Sequence, residues 1–260
     1  MKRIAVRTRS FGAEIRTPEV AELTPWIRER RGIGGDLTAY LVERSFGLQQ
    51  GVDLPCAGGR FYARRVLDCL EGVEGTAVTG EVGVRAEEAV ADVRMLVRRQ
   101  KGLWFALPAP SLFHFTDSYY GDDDEMTEEV VDAFGRLMRE MRDAGAGGHV
   151  LIAEEAGEIE LEELAGKKVC FFPLKRDADH LAGLLEHQTT LVTDPTGIGE
   201  AGSLADEYDV RELALLHPTH EDLMTATEHF DPDEIAAAGY TLEGEEERWK
   251  ALRTEAYILR

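Results

Sequence analysis

Lysine is scarce in this chain: six residues stand beside 23 arginines, against 50 Asp and Glu. The formal charge of −21 repels phosphate backbones and anionic bilayers, which argues against nucleic acid or a membrane as partner. Cysteine is scarce too. Cys56, Cys69 and Cys170 are odd in number and form no C-x-x-C, so reduced thiols are expected rather than a disulfide framework. No apolar run reaches the roughly 18–20 residues of a membrane helix. The first eight residues, Met1 to Thr8, lack the apolar core of a signal peptide. No G-x-G-x-x-G follows a strand-like run, and no internal repeat or low-complexity linker is present. The expectation is a cytoplasmic protein. Its acidic excess is spread along the chain, as in proteins of salt-loving microbes, where screening removes self-repulsion.

What is present is alternation. After residue 75, short apolar runs at 76–82, 103–106, 149–153, 168–174, 189–193 and 212–216 read as strands. Helical periods fall between them, most clearly at 86–100, 126–144, 160–165 and 177–186. Repeated strand–helix units predict a parallel sheet. The first 75 residues are less regular, with strand candidates at 3–8 and 51–54 and a helix at 61–70. Counting both early strands gives eight, and eight strands close a (β/α)8 TIM-type barrel, here a single domain over 1–260. Residues 226–260 read as a C-terminal helical segment, and the charge run at 243–248 as solvated surface. An open doubly wound sheet is the competing architecture.

The loop from Leu107 to Asp122 carries the most specific wording. It has Leu-Pro-Ala-Pro at 107–110 and Tyr-Tyr-Gly-Asp at 119–122. Further pieces follow in order: Ser10-Phe11, Gly-Val-Asp-Leu at 51–54, Thr-Gly-Glu-Val at 79–82, Ala-Glu-Glu-Ala at 153–156 and His-Pro-Thr-His at 217–220. The ordered set resembles the cobalamin-independent methionine synthases, in their C-terminal catalytic domain, and their uroporphyrinogen-decarboxylase-like relatives. That resemblance implies a barrel with its site at the strand C-termini, Zn²⁺ to activate a thiol, and a folate-type methyl donor. Carried over by position, the zinc ligands of strand six fall on Phe172 and Leu174. Asp194 stands for a glutamate ligand and His220 for the last cysteine. The carboxylate that would hold the amino-acid substrate falls on Gly59, and an aspartate of strand five on Ala153.

A rebuilt metal site is therefore expected from Asp194, His217 and His220, with Cys170 on an adjacent strand. Glu154 is the candidate general base or anchor of a cationic group, and Asp194 the second catalytic candidate. Ser10, Pro108, Pro110, Ser111, His114, Tyr119 and Tyr120 are candidates for holding a flat small molecule. Lys175 and Arg176 could accept its carboxylates. Each has a plainer reading as well. His217 and His220 fit a turn and a helix start, Glu155 a solvated surface, and the Lys175-Arg176-Asp177 run a helix-start salt bridge. Three functions remain open: methyl transfer to a thiol, a ligand-binding or accessory protein of the same fold, and a metal-independent tetrapyrrole decarboxylase. A partner chain could complete the site.

Overall fold

Strands buried on both faces read as near-continuous apolar runs, and most core strands here do, the polar run at 7–14 being the exception. In the computed structural model, residues 2–29, 35–242 and 246–259 are described. The N-terminal third runs β1 (Arg3–Ala5), β2 (Arg7–Glu14), α1 (Val20–Glu29), α2 (Leu37–Leu48), β3 (Cys56–Gly58), α3 (Ala63–Cys69), β4 (Leu70–Glu74) and β5 (Ala77–Val84). Next come α4 (Glu87–Val97), β6 (Trp104–Pro108), β7 (Thr116–Asp117), α5 (Asp123–Asp143), β8 (Gly148–Ala153), α6 (Glu158–Leu164) and β9 (Val169–Pro173). The chain ends with α7 (Ala178–Leu185), β10 (Thr190–Thr193), α8 (Ile198–Glu207), β11 (Glu212–Leu216), α9 (His220–Ala226), β12 (Ile235–Leu242), α10 (Glu246–Glu255) and β13 (Tyr257–Leu259).

Eight of these strands are parallel and form two four-stranded sheets, ordered β3-β6-β8-β9 and β10-β11-β12-β2. The two sheets share one interior. Phe11, Val192, Ala214, Leu216 and Ala238 of one pack with Cys56, Ala106, Val150, Ile152 and Phe172 of the other. The alternate residues, such as Phe105, Leu107, Leu151 and Phe171, face a second cluster that the helices cover. The α/β class and parallel pairing agree with the reading of the sequence. A closed ring of strand pairing is not formed among the described residues. One junction holds only an isolated parallel bridge, Arg9 with Leu54, and β9 and β10 share no ladder.

Buried strand edges cannot be left without partners, and side-chain amides fill both junctions. Gln188 accepts from the Phe171 N–H at 2.8 Å and donates to the carbonyls of Phe171 (3.2 Å) and Thr190 (2.8 Å). Gln49, 1% exposed, accepts from the Cys56 N–H at 2.8 Å and donates to its carbonyl at 2.7 Å. The Ser45 hydroxyl accepts from the Gly58 N–H at 2.9 Å. Each amide stands in for the neighbouring strand.

Three expectations need correction. The run at 76–82 is not a core strand. It belongs to β5, which pairs antiparallel with β4 in a three-stranded side sheet. Only Val78 and Val82 of that strand are buried, so it has a single apolar face and lies to the side of the core. The early strand candidate at 51–54 is displaced too, since β3 begins at Cys56. The segment 226–260 is not wholly helical, because it supplies β12 and β13 around α10. The Ala-rich wording of β12 looks helical, yet a Cβ on Gly239 would come within 2.8 Å of the Trp249 ring. Small residues are needed there for Trp249 to pack. Of the acidic run at 243–248, residues 243–245 lie outside the described residues, and Glu246 to Arg248 open α10.

Two predictions follow from this frame. Gln188→Leu would leave the Phe171 N–H and carbonyl buried and unpaired, so urea unfolding should show a loss of about 2–3 kcal/mol. His149, fully buried on β8, places Nε2 3.0 Å from the Met138 carbonyl of α5. Burial, with a smaller contribution from Arg142, lowers its pKa from 6.5 to about 3. The folded state thus resists a proton that the unfolded chain accepts, and stability is lost as pH falls below the unfolded value. The expected contribution is about 1.4 kcal/mol per pH unit until the folded value is reached. Unfolding curves from pH 7 to 4.5 should be shallower by about this slope in His149→Gln; equal slopes would show that His149 does not titrate as described.

Candidate functional site

The loops at the carboxyl ends of β6, β8 and β9 meet around an open cleft of about 560 Å³. Its walls bring together four of the candidates, Ser111, His114, Glu154 and Lys175, with Leu112 and Leu174 as the apolar part. Pro110 begins a short 3-10 turn to Phe113, and His114 follows it in the left-handed region, φ 51°. The turn is held from the next loop. Glu160, 2% exposed, accepts from the Ser111 N–H and from the Gly157 N–H, both at 2.8 Å. One buried carboxylate therefore fixes two strand-end loops against each other. A second cleft, about 450 Å³ and more apolar, shares Ser111 and His114 and continues past Phe115, Met126 and Ile159.

Charge in the first cleft is asymmetric. Lys175 pairs with Glu155 and lies 3.4 Å from Asp177. The Lys175 hydrogen bond holds the Glu155 carboxyl below its usual range, and the same bond raises the Lys175 ammonium. Glu154 is exposed and has no hydrogen bond or ion pair among the described residues. The Ser111 hydroxyl is shielded from solvent and also lacks a partner. The cleft thus presents an unpaired carboxylate, an imidazole and one paired ammonium, while the Ser111 hydroxyl is closed off from it.

The other candidates lie elsewhere. Tyr120 accepts from the Val82 N–H at 3.1 Å, and Tyr119 packs edge-on against it at 5.0 Å, so this pair braces the side sheet. Asp117 shapes that turn by accepting from the N–H groups of Tyr119 and Tyr120, each at 2.9 Å. Pro108 is buried at the end of β6. The Arg176 guanidinium donates to the Pro173 carbonyl at 2.9 Å. Ser10 is 2% exposed, and its hydroxyl accepts from the Gly12 N–H at 3.0 Å.

The expected metal triad is not assembled. Asp194 opens a 3-10 turn, accepting from the Thr196 N–H at 3.0 Å and from its hydroxyl. The Thr196 hydrogen bond keeps its carboxyl below the ordinary range. His217, at φ 51°, sets Nε2 2.9 Å from the Tyr240 carbonyl. His220 turns to the C-terminal segment, with Nδ1 3.2 Å from Glu255 and its ring stacked 5.2 Å from Tyr257. Cys170 faces the interior, where burial raises its thiol pKa and keeps it protonated. Among the described residues no three His, Cys, Asp or Glu gather in a way that could hold a metal ion. This donor set does not fit zinc, which takes three or four convergent ligands.

Aromatic rings occupy the interior instead. Phe172 stacks on Phe11 at 5.0 Å and meets Tyr240 at 4.9 Å. The Tyr240 hydroxyl donates to Glu14, which also accepts from Arg60 Nε at 3.1 Å. Burial raises the Tyr240 pKa, and Glu14 adds to the shift. A side chain at Gly59 would meet the Ala13 carbonyl at 2.1 Å, so a carboxylate there has no room. Glu14, Arg60, Tyr240 and Glu160 were not candidates from the sequence. The Gly-x-x-Glu spacing at 157–160 was the one available signal, as a helix-capping pattern.

No family model and no curated protein matches the sequence. Solved structures do match. A B12-independent methionine synthase from Shewanella sp. W3-18-1, in complex with selenomethionine, superposes with a TM-score of 0.67 at 13% identity, covering 97% of this chain and 96% of that one. A putative vitamin-B12-independent methionine synthase from Listeria monocytogenes gives 0.62 at 16% identity, covering 96% and 94%. At these identities the likeness is one of architecture: the chain has a mixed α/β fold like that of the cobalamin-independent methionine synthases.

Proposed function

We propose that this protein is a small-molecule-binding member of the methionine-synthase-like fold, in which zinc-dependent methyl transfer has been lost. The observation that carries this reading is the stack of Phe11, Phe172 and Tyr240. It fills the interior where the resemblance would put metal and thiol, while Asp194, His217 and His220 bond to three separate partners. The fold belongs to the same proposal. Two parallel sheets with one interior, bridged by Gln188 at one junction and by the Arg9–Leu54 pairing at the other, are a (β/α)8 barrel.

Ligand chemistry follows from the cleft. An amine or amidine would pair with Glu154, and a carboxylate or carbonyl would reach His114 or Lys175. An apolar portion would extend into the neighbouring cleft beside Met126 and Ile159. We place the protein in the cytoplasm, with its acidic surface adapted to high salt.

The test combines metal analysis with ligand titration on protein purified without chelators. Metal content should be far below stoichiometric. Titration with methionine, a pterin and a porphyrin, followed by melting temperature, should single out an amine-bearing ligand. Its affinity should drop at least about 10-fold in Glu154→Gln, as expected for loss of a charge-assisted contact. Stoichiometric zinc that disappears in His217→Ala and His220→Ala would overturn the proposal in favour of methyl transfer. Saturable porphyrin binding unaffected by Glu154→Gln would overturn it in favour of a decarboxylase-like enzyme.

A further inference from the structure

At the opposite ends of the parallel strands, where β9 and β10 share no ladder, lies a separate cleft of about 510 Å³. Arg7, Arg9, Lys167 and Arg211 line it, and Glu212 is its one carboxylate. Arg7 and Arg9 both bond to Glu212, one to each oxygen. A single carboxylate therefore neutralises only one of two guanidiniums. Arg211 is balanced by Asp209 at 2.7 Å, outside the lining. Lys167 is exposed and has no partner among the described residues. After these pairings two positive charges remain, in a chain whose formal charge is −21.

Arg9 makes the site more than a surface patch. Its side chain is 9% exposed and its guanidinium lies 4.7 Å from the Phe11 ring and 5.5 Å from the Trp104 ring. Holding a cation that deep costs desolvation energy, which a full counter-charge would offset. Glu212 is shared, so the counter-charge is incomplete. Guanidinium groups offer paired N–H donors that match the two oxygens of a carboxylate or phosphate. The unpaired strand edges leave the opening through which such a group can approach.

We propose that this cleft binds an oxyanion, the phosphate or carboxylate of a small molecule, clamped by Arg7 and Arg9 with Lys167 at its rim. The site is distinct from the Glu154 cleft and lies at the other end of the strands. Glu154→Gln should leave it unchanged, so the two proposals fail independently.

The experiment titrates inorganic phosphate and, separately, succinate into the full chain at fixed ionic strength. Trp104 fluorescence and melting temperature are the readouts. Saturable binding by about 10 mM of one probe is expected, with a rise in melting temperature that follows its concentration. The probe that binds more tightly identifies the oxyanion as phosphate or carboxylate. Arg7→Gln combined with Lys167→Gln alters only exposed side chains, so folding should be kept and affinity should drop at least about 10-fold. Asp209→Asn removes the partner of Arg211 and should strengthen binding. No saturation with either probe, or an affinity unchanged in the double variant, would overturn the proposal.

Discussion

Unpaired backbone groups at a buried sheet edge are the constraint on which this architecture depends. Two four-stranded parallel sheets can enclose one interior only if their outer edges find hydrogen-bond partners. Strand pairing does not supply them all. Gln49, Ser45 and Gln188 do so from the chain just before β3 and just before β10. An amide side chain carries one acceptor and two donor hydrogens, so it can satisfy the N–H and the carbonyl of one strand residue together. The β9–β10 junction is thereby closed at Phe171 and left open toward the strand N-termini, where the arginine-lined cleft lies.

The same interior decides where chemistry can take place. Phe11, Phe172 and Tyr240 fill the carboxyl half, and Arg9 with Glu212 stands toward the amino end. Ligand groups are therefore confined to the rims, in clefts built from loops and strand ends. A second buried arginine follows a similar logic outside the sheets. Arg65 bonds to Asp92 at 2.8 Å and to Asp36, while Tyr62 donates to Asp92 at 2.9 Å, tying α2, α3 and α4 together. Buried charge of either sign is thus held in pairs or by backbone N–H groups: Arg9 with Glu212, Arg65 with Asp92, and Glu160 by two loop amides.

Much of the frame was legible because it rests on local patterns. The five apolar runs from 103 to 216 become β6, β8, β9, β10 and β11, and the helical period at 126–144 becomes the 21-residue α5, capped by Asp122. The errors turn on packing partners that the runs themselves do not name. The alternation at 76–82 is decided by β4, the strand just before it in a hairpin, and the alanines of β12 by Trp249 of α10. Ser111, His114, Glu154 and Lys175 lie after strand ends and line one cleft. Asp194, His217 and His220 follow strands as well, but their side chains answer to Thr196, Tyr240 and Glu255. Spacing along a chain gives the end of the sheet where a residue lies and not the direction in which it points.

That difference accounts for a fold kept at 13% identity while the metal-ligand pattern is absent. The frame is held by backbone pairing and by apolar volume, which many sequences can supply. A zinc site needs three or four donors converging on one point, and a single aromatic side chain among them prevents it. Phe172 adds buried area and ring contacts to the interior, stacked on Phe11 and against Tyr240. Asp194, His217 and His220 are held by Thr196, Tyr240 and Glu255 rather than by one another. Glu154, just past the end of β8, stands exposed and without a partner among the described residues.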